Sequence, residues 1–205
     1  LTIDKPKEEW TRALEPSEKV IVIGASTGGT RAITRIVSQL PPSTPGILVV
    51  QHMPEYFTKS FADSLDRATT LEVKEAANGD RLMKGQVLIA PGNYHTALRV
   101  DAKGYYVAVT QGPLINRHRP SVGHAFASAA KYAGKNAVGI ILTGMGDDGA
   151  RELKLMRDQG AVTIAQDEAS SVVFGMPRRA IELGSAEMVM SLDEIAEYLR
   201  QVGTT

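Results

Sequence analysis

VIVIGASTGG, residues 20–29, joins four apolar residues of high β propensity to a glycine-rich turn that carries a serine and a threonine. Beyond it, Ile33, Ile36, Val37 and Leu40 recur at i, i+3, i+4 and i+7, the spacing of one helical face. The stretch therefore predicts a strand, a tight turn and an amphipathic helix, the opening unit of an α/β domain. What the turn carries decides what the domain can do.

Three templates compete for it. A phosphate-cradling P-loop needs a lysine after its last glycine; Gly24 and Gly29 have the spacing, but Thr30 stands where that charge belongs. The dinucleotide fingerprint needs glycine at position 26, where a pyrophosphate approaches the backbone, and position 26 is serine. The third template, G-x-S-x-G between a strand and a helix, matches Gly24 to Gly28 and lifts the Ser26 hydroxyl onto an exposed elbow. A plainer reading has Ser26 and Thr27 capping the helix that follows.

The strand-turn-helix unit repeats. Ile47 to Val50 reads as a strand, and a helix beginning near Pro54 would place Phe57, Phe61 and Leu65 on one face. Two such units in succession imply a right-handed parallel crossover. Gln86 to Ala90, Thr96 to Val100 and Tyr105 to Val109 have the short spacings of antiparallel strands and predict a hairpin beside the parallel sheet. A helix capped by Ser121, a strand Val138 to Leu142, a helix carrying Leu153 and Met156, and a strand Val162 to Ala165 follow. A last helix from about Asp193 to Val202 starts on SLDE, the form of a capping box. The expected fold is a doubly wound, mostly parallel α/β sheet with helices on both faces and an antiparallel hairpin at one edge. Residues 1–19 are polar, contain Pro6 and Pro16, and read as a linker or extension with a short helix around Trp10; residues 20–205 form the domain.

Composition narrows the chemistry. The chain has 205 residues and zero formal net charge, which gives no electrostatic footprint for nucleic acid or an anionic membrane. Cysteine is absent, which removes disulfides, thiolate metal sites and cysteine nucleophiles. No apolar run approaches the ~20 residues of a membrane helix, and the charged N-terminus is unlike a signal peptide. The expectation is a soluble, cytoplasmic protein with no cofactor and no metal.

A serine hydroxyl needs a base and a group to orient that base. His52 follows the strand ILVV, at the carboxyl end of the strand expected beside that of Ser26. His95, His118 and His124 have ordinary surface explanations. Asp147 and Asp148 sit beyond VGIIL in the loop TGMGDDGA, at a third strand end, and residue spacing does not choose between them. In open α/β sheets, catalytic groups gather outside the carboxyl ends of the strands. The order Ser, His, Asp differs from that of α/β-hydrolases, but triads recur in several orders on unrelated folds.

From about Lys19 onward the chain resembles the catalytic domain of CheB-type chemotaxis protein-glutamate methylesterases. The resemblance rests on IGASTGGT, VVQHMP, FTKSFA, VKEAANGD, IAPGNYH, NRHRPSV, NAVGIILTGMGDDGA and TIAQDEASSVVFGMPRRAI, in that order. It implies hydrolysis of γ-glutamyl methyl esters on the cytoplasmic helices of chemoreceptors, releasing methanol, with deamidation of receptor glutamines as a second activity. It also implies a triad of Ser26, His52 and Asp148, preferring Asp148 because the family's carboxylate immediately precedes the Gly-Ala pair. The backbone N–H groups of Thr27 and Met145 are the candidate oxyanion hole. Arg117 and Arg119 are candidates for positioning an acidic substrate or ordering their loop.

The family commonly carries an N-terminal receiver domain that covers the active site until phosphorylated, so residues 1–19 read as the remnant of an interdomain linker or the start of a stand-alone enzyme. Departures from the family pattern fall at Arg31, Ser64, Gly123 and His124, where they would bear on receptor docking. If His52 is the base, activity should fall below about pH 6 to 6.5, where an ordinary histidine protonates. Two other classes of function remain for comparison: a nucleotide or phosphate binder using the glycine-rich turn, and a receptor-binding module without catalysis.

Overall fold

The computed structural model describes Ile3, Glu15, Pro16 and residues 18–202. The helix expected around Trp10 lies outside the described residues. In chain order the elements are β1 (Val20–Ala25), α1 (Gly29–Val37), β2 (Ile47–Gln51), α2 (Phe57–Ala68), β3 (Glu72–Glu75), β4 (Gln86–Ile89), β5 (His95–Asp101), β6 (Gly104–Thr110), α3 (Val122–Tyr132), β7 (Ala137–Ile141), α4 (Ala150–Asp158), β8 (Val162–Gln166), α5 (Met176–Glu182), β9 (Met188–Met190) and α6 (Leu192–Val202).

Seven strands form one sheet in the order β3-β4-β2-β1-β7-β8-β9. Every pairing in it is parallel. All six residues of β1 are buried, as are those of β2 and β7. A strand covered on both faces has no polar side to alternate with, which is why these segments read as continuous apolar runs. Ile21 and Ile23 pack with Ile33 and Ile36 of α1, Leu65 of α2 and Leu199 of α6. Val20 and Val22 pack on the other face with Phe126 of α3, Leu153 of α4 and Met176 of α5. Each fully buried Ile, Leu or Phe here contributes roughly 1.5–3 kcal/mol.

The α/β architecture expected from the sequence is the one observed, with differences in detail. The segment 86–89 is no hairpin strand: β4 lies inside the parallel sheet between β2 and β3. Its QVLI is buried at all four positions, the mark of a strand covered on both faces. The antiparallel pair is β5 and β6, and it forms a separate two-stranded sheet rather than an extension of the main sheet's edge. It packs through Leu98, Tyr105 and Val107 into the core beside α3, where Leu98 N donates to Ser128 Oγ at 2.8 Å.

Helix α2 buries Thr58, Phe61, Ala62 and Leu65, while Phe57 stays 60% exposed. Tyr56, with φ of 73°, is the N-cap, and Phe57 is the first residue of the helix. Strand β3, helix α5 and strand β9 have no counterpart in the sequence-based expectation. They are a polar edge strand (EVKE), a seven-residue helix and a three-residue strand, all too short for a periodic signal.

Both expected caps are present. Ser121 Oγ accepts from His124 N, opening α3. Ser191 Oγ accepts from Glu194 N while the Glu194 carboxylate accepts from Ser191 N, the reciprocal box at α6.

Candidate active site

Strand order reverses around β1, whose neighbours are β2 on one side and β7 on the other. The carboxyl ends of these three strands deliver Ser26, His52 and the loop containing Asp148. The parallel ladder continues past the strands: His52 N donates to Ala25 O at 3.1 Å, and Ser26 N donates to Thr143 O at 3.0 Å. The backbone positions of the serine and the histidine are thus held in register by the sheet itself.

The glycines of the turn have separate tasks. Gly28 caps α1 at φ of 82°, a left-handed conformation that a side chain resists. Gly24 lies under α3, where a Cβ would come 2.1 Å from Val122 Cγ1. Opposite Ser26, Gly144 allows close approach, since a Cβ there would lie 2.7 Å from Ser26 Cβ. Because Gly28 is the N-cap and α1 has no side-chain cap bond, neither Ser26 nor Thr27 serves as the helix cap of the plainer reading. Among the described residues Ser26 Oγ makes no hydrogen bond, whereas its carbonyl accepts from Gly29 N and from Gln51 Nε2, both at 2.8 Å.

Asp148 is 1% exposed and surrounded by donors. Its Oδ2 accepts from His52 Nε2 at 2.7 Å and from Val122 N at 2.7 Å. Its Oδ1 accepts from Ser121 Oγ at 2.8 Å, Asn116 Nδ2 at 2.9 Å and Gly123 N at 3.0 Å. The carboxylate therefore sits on the first two amides of α3, at the positive end of that helix. Burial alone would raise its pKa and is the largest single influence, but the bonds from His52, Asn116, Gly123 and Ser121 together outweigh it and hold the carboxyl at about 2. An ionised carboxylate only accepts, so His52 Nε2 carries a proton, and in a neutral imidazole Nδ1 is then the nitrogen with the lone pair. Nδ1 is buried with no hydrogen-bond partner.

Asp147, the neighbour that spacing could not separate from Asp148, points away: its carboxylate is half exposed, 3.9 Å from Arg117. The segment 115–118 straps over the site. Ile115 and His118 exchange both backbone hydrogen bonds, at 3.0 and 2.9 Å, around Asn116 (φ 50°) and Arg117 (φ 67°). Positive φ at both central residues is the geometry of a type I′ turn. The turn sends Asn116 inward to Asp148 and leaves Arg117 with an 86% exposed side chain. His118 lies flat on His52, ring centroids 3.7 Å apart and planes within 10°. Arg119, next in the chain, bonds Asn93 Oδ1 through Nε at 3.1 Å and Gly112 O through a terminal nitrogen at 2.5 Å, tying the end of the strap to the loop after β4 and to the segment after β6.

Thr27 and Met145 flank Ser26 and Gly144 in the chain, and both are exposed, Met145 by 71%. Among the described residues their backbone N–H groups donate to nothing. A cleft of about 830 Å³ begins beside this turn, at Gly28, Thr143 and Val172, and runs between α1 and α2 past Met53 and Phe57. Arg31 and Ser64, two of the four positions expected from the sequence to differ from the family pattern, line it. The other two lie in α3: a Cβ at Gly123 would come 2.7 Å from both Asn116 Nδ2 and Glu152 Oε2, and His124 tilts against the buried His95 ring at 5.2 Å. Among the described residues no group of three or more His, Asp or Glu is placed to hold a metal ion, and no helix is long and apolar enough to cross a membrane.

The structure thus gathers Ser26, His52 and Asp148 at three adjoining strand ends and bonds the last two. It adds Asn116, Ser121 and His118, which sequence reasoning had not placed there. Ser121 was legible as a cap; that its hydroxyl also reaches a residue 27 positions on was not.

A profile of the CheB methylesterase family matches residues 21–199. The chain is 58% identical over 191 residues to "Protein-glutamate methylesterase/protein-glutamine glutaminase 3" of Geobacter metallireducens, covering 93% of this chain and 54% of that protein. It is 57% identical over 187 residues to "Protein-glutamate methylesterase/protein-glutamine glutaminase 2" of Rhodospirillum rubrum, covering 91% and 52%. The chain spans about half the length of these curated relatives. The crystal structure of the Thermotoga maritima CheB methylesterase catalytic domain superposes with a TM-score of 0.88 at 40% identity, covering 91% of this chain and 99% of that one.

Proposed function

The chain belongs to the CheB methylesterase family, and from that premise we propose that it hydrolyses γ-methyl esters of glutamate on chemoreceptors, releasing methanol, and deamidates receptor glutamines. Ser26, His52 and Asp148 act as its triad. The observation that carries the reading is the 2.7 Å bond from His52 Nε2 to a buried carboxylate, with His52 and Ser26 at adjacent strand ends.

The steps follow from the groups present. His52 Nδ1 takes the proton from Ser26 Oγ as that oxygen attacks the ester carbonyl, and Asp148 stabilises the imidazolium that forms. The N–H groups of Thr27 and Met145 receive the oxyanion. As the tetrahedral intermediate collapses, the imidazolium protonates departing methoxide, leaving a glutamyl-serine ester and methanol. Water, deprotonated by His52, then cleaves that ester and restores Ser26. Glutamine follows the same course with ammonia as the leaving group. Ser26 Oγ and His52 Nδ1 are unbonded to each other here, and such contacts commonly tighten only when substrate binds.

The partner we propose is the methylated cytoplasmic helices of chemoreceptors, with a receiver domain in the full-length protein controlling access. Of the two candidate arginines, Arg117 is the exposed cation that would meet an acidic substrate, while Arg119, just beyond the strap, orders its loop. The test is methanol release from methylated receptor membranes by the native chain and by Ser26→Ala. Release that persists in Ser26→Ala overturns the proposal.

A further inference from the structure

We infer that His118 is a positioning residue for His52: stacked flat on the imidazole, it fixes the plane in which the base faces Ser26. The inference rests on the serine-esterase reading above and adds to it a residue outside the triad.

A single hydrogen bond fixes a line, not a plane. His52 Nε2 is tied to Asp148 Oδ2 at 2.7 Å, which leaves the ring free to swing about the Nε2···Oδ2 axis and carry Nδ1 away from the serine. The second constraint is the His118 ring, 3.7 Å above with the planes within 10°. The line and the plane together define one orientation, and it is the one that leaves Nδ1 without a partner in the fold.

His118 is itself well anchored. Its backbone is paired in both directions with Ile115, and the adjacent Asn116 bonds the same Asp148 carboxylate that holds His52. Arg119, one residue further, is fastened to Asn93 and Gly112. The strap therefore references the stacking ring to the carboxylate, and the two constraints move as one.

The stack also requires a neutral ring. Burial pushes the His118 pKa down, and His52 and Arg117 push it further, against the opposing pull of Asp148 and Asp147. Arg119 lines the same hollow and adds to the positive surroundings. An uncharged aromatic face beside His52 favours the imidazolium formed in the reaction, as aromatic faces favour cations generally, whereas a protonated His118 would oppose it.

The test compares kcat and KM for p-nitrophenyl acetate, a small ester that needs no receptor docking, in the native chain and in Ser26→Ala, His118→Leu and His118→Phe. Leucine fills volume without a flat face, and phenylalanine keeps the face without a titratable group. Misplacing a catalytic group by about 1 Å can cost about 100-fold in rate, so His118→Leu should lose about 100-fold in kcat at unchanged KM, with His118→Phe recovering to within a few-fold. Thermal unfolding of each variant identifies any that is misfolded, and if leucine unfolds the chain, the kcat of His118→Phe against native decides. Ser26-dependent hydrolysis with native kcat in His118→Leu overturns the inference and leaves the esterase reading standing. A loss that phenylalanine does not relieve also overturns it. Hydrolysis that does not depend on Ser26 removes the esterase reading and this inference together.

Discussion

The Ser121 hydroxyl donates to Asp148 Oδ1 across 2.8 Å and with the same oxygen accepts from His124 N at 3.2 Å. One side chain thus starts α3 and fastens the carboxylate to it, so helix stability and site geometry share an atom.

Ser121→Ala should therefore lower stability by about 1–2 kcal/mol, the usual cost of losing an N-cap. Denaturant unfolding should show the midpoint fall with an unchanged slope. The catalytic loss should be modest, because His52, Asn116 and the amides of Val122 and Gly123 still hold Asp148. A loss of activity as large as that of Ser26→Ala would mean that Ser121 acts directly in the reaction.

Asp148→Asn tests the tautomer argument. An amide at this position can donate to His52, which would place the ring's proton on Nδ1 and remove the base. By analogy with other Ser-His-Asp sites, kcat should fall by about 10,000-fold. An activity within tenfold of native would show that Asp148 does not set the tautomer.

The same carboxylate gives stability a defined acid limb. Its folded pKa, about 2, lies below the ordinary value of 3.8. A depressed carboxyl contributes stability that is fully present above the unfolded value and is lost as pH falls through the folded one. The window is therefore from about pH 4 down to about pH 2, and the contribution is roughly 2 kcal/mol. Urea unfolding of native chain and Asp148→Asn across this range should show their stability difference shrinking as acid is added. A difference independent of pH would contradict the depressed pKa.

Gly144→Ala probes the close approach at the serine. The new Cβ would fall 2.4 Å from Met176 Sδ and 2.7 Å from Ser26 Cβ. Met176 has a flexible side chain, but the serine is pinned by its backbone bond to Thr143. Overpacking of this kind costs typically 1–3 kcal/mol, and displacing Ser26 should lower kcat by about 100-fold. Unchanged kcat would show that the loop at Gly144 gives way without moving the serine.

Ser26 and His52 were legible because each follows its own apolar strand, and a parallel sheet brings consecutive strand ends together. Asp148 could not be separated from Asp147 by spacing alone, because the choice depends on which carboxylate reaches the amides of α3, some 26 positions away in sequence. His118 read as a surface residue for the same reason: its neighbour in space is His52, and nothing local announces the strap between them. The segment 86–89 was misread because a fully buried short strand shows no alternation, so its sequence does not reveal whether its neighbours run parallel or antiparallel. Phe57 was assigned to a buried face by its helical spacing from Phe61 and Leu65, yet as the first residue of α2 it stays exposed.

β1 lies at the centre of the seven strands, with three on either side. Amide exchange in such a sheet proceeds from its margins inward, with fraying of outer segments far less costly than release of the middle. The amides of β1 should exchange only when the entire domain opens, while β3 and β9 open on their own. A molecule frayed at both margins would still hold Ser26 at its native spacing from His52 and Asp148, so heating should erode the outer sheet well before it disperses the three groups.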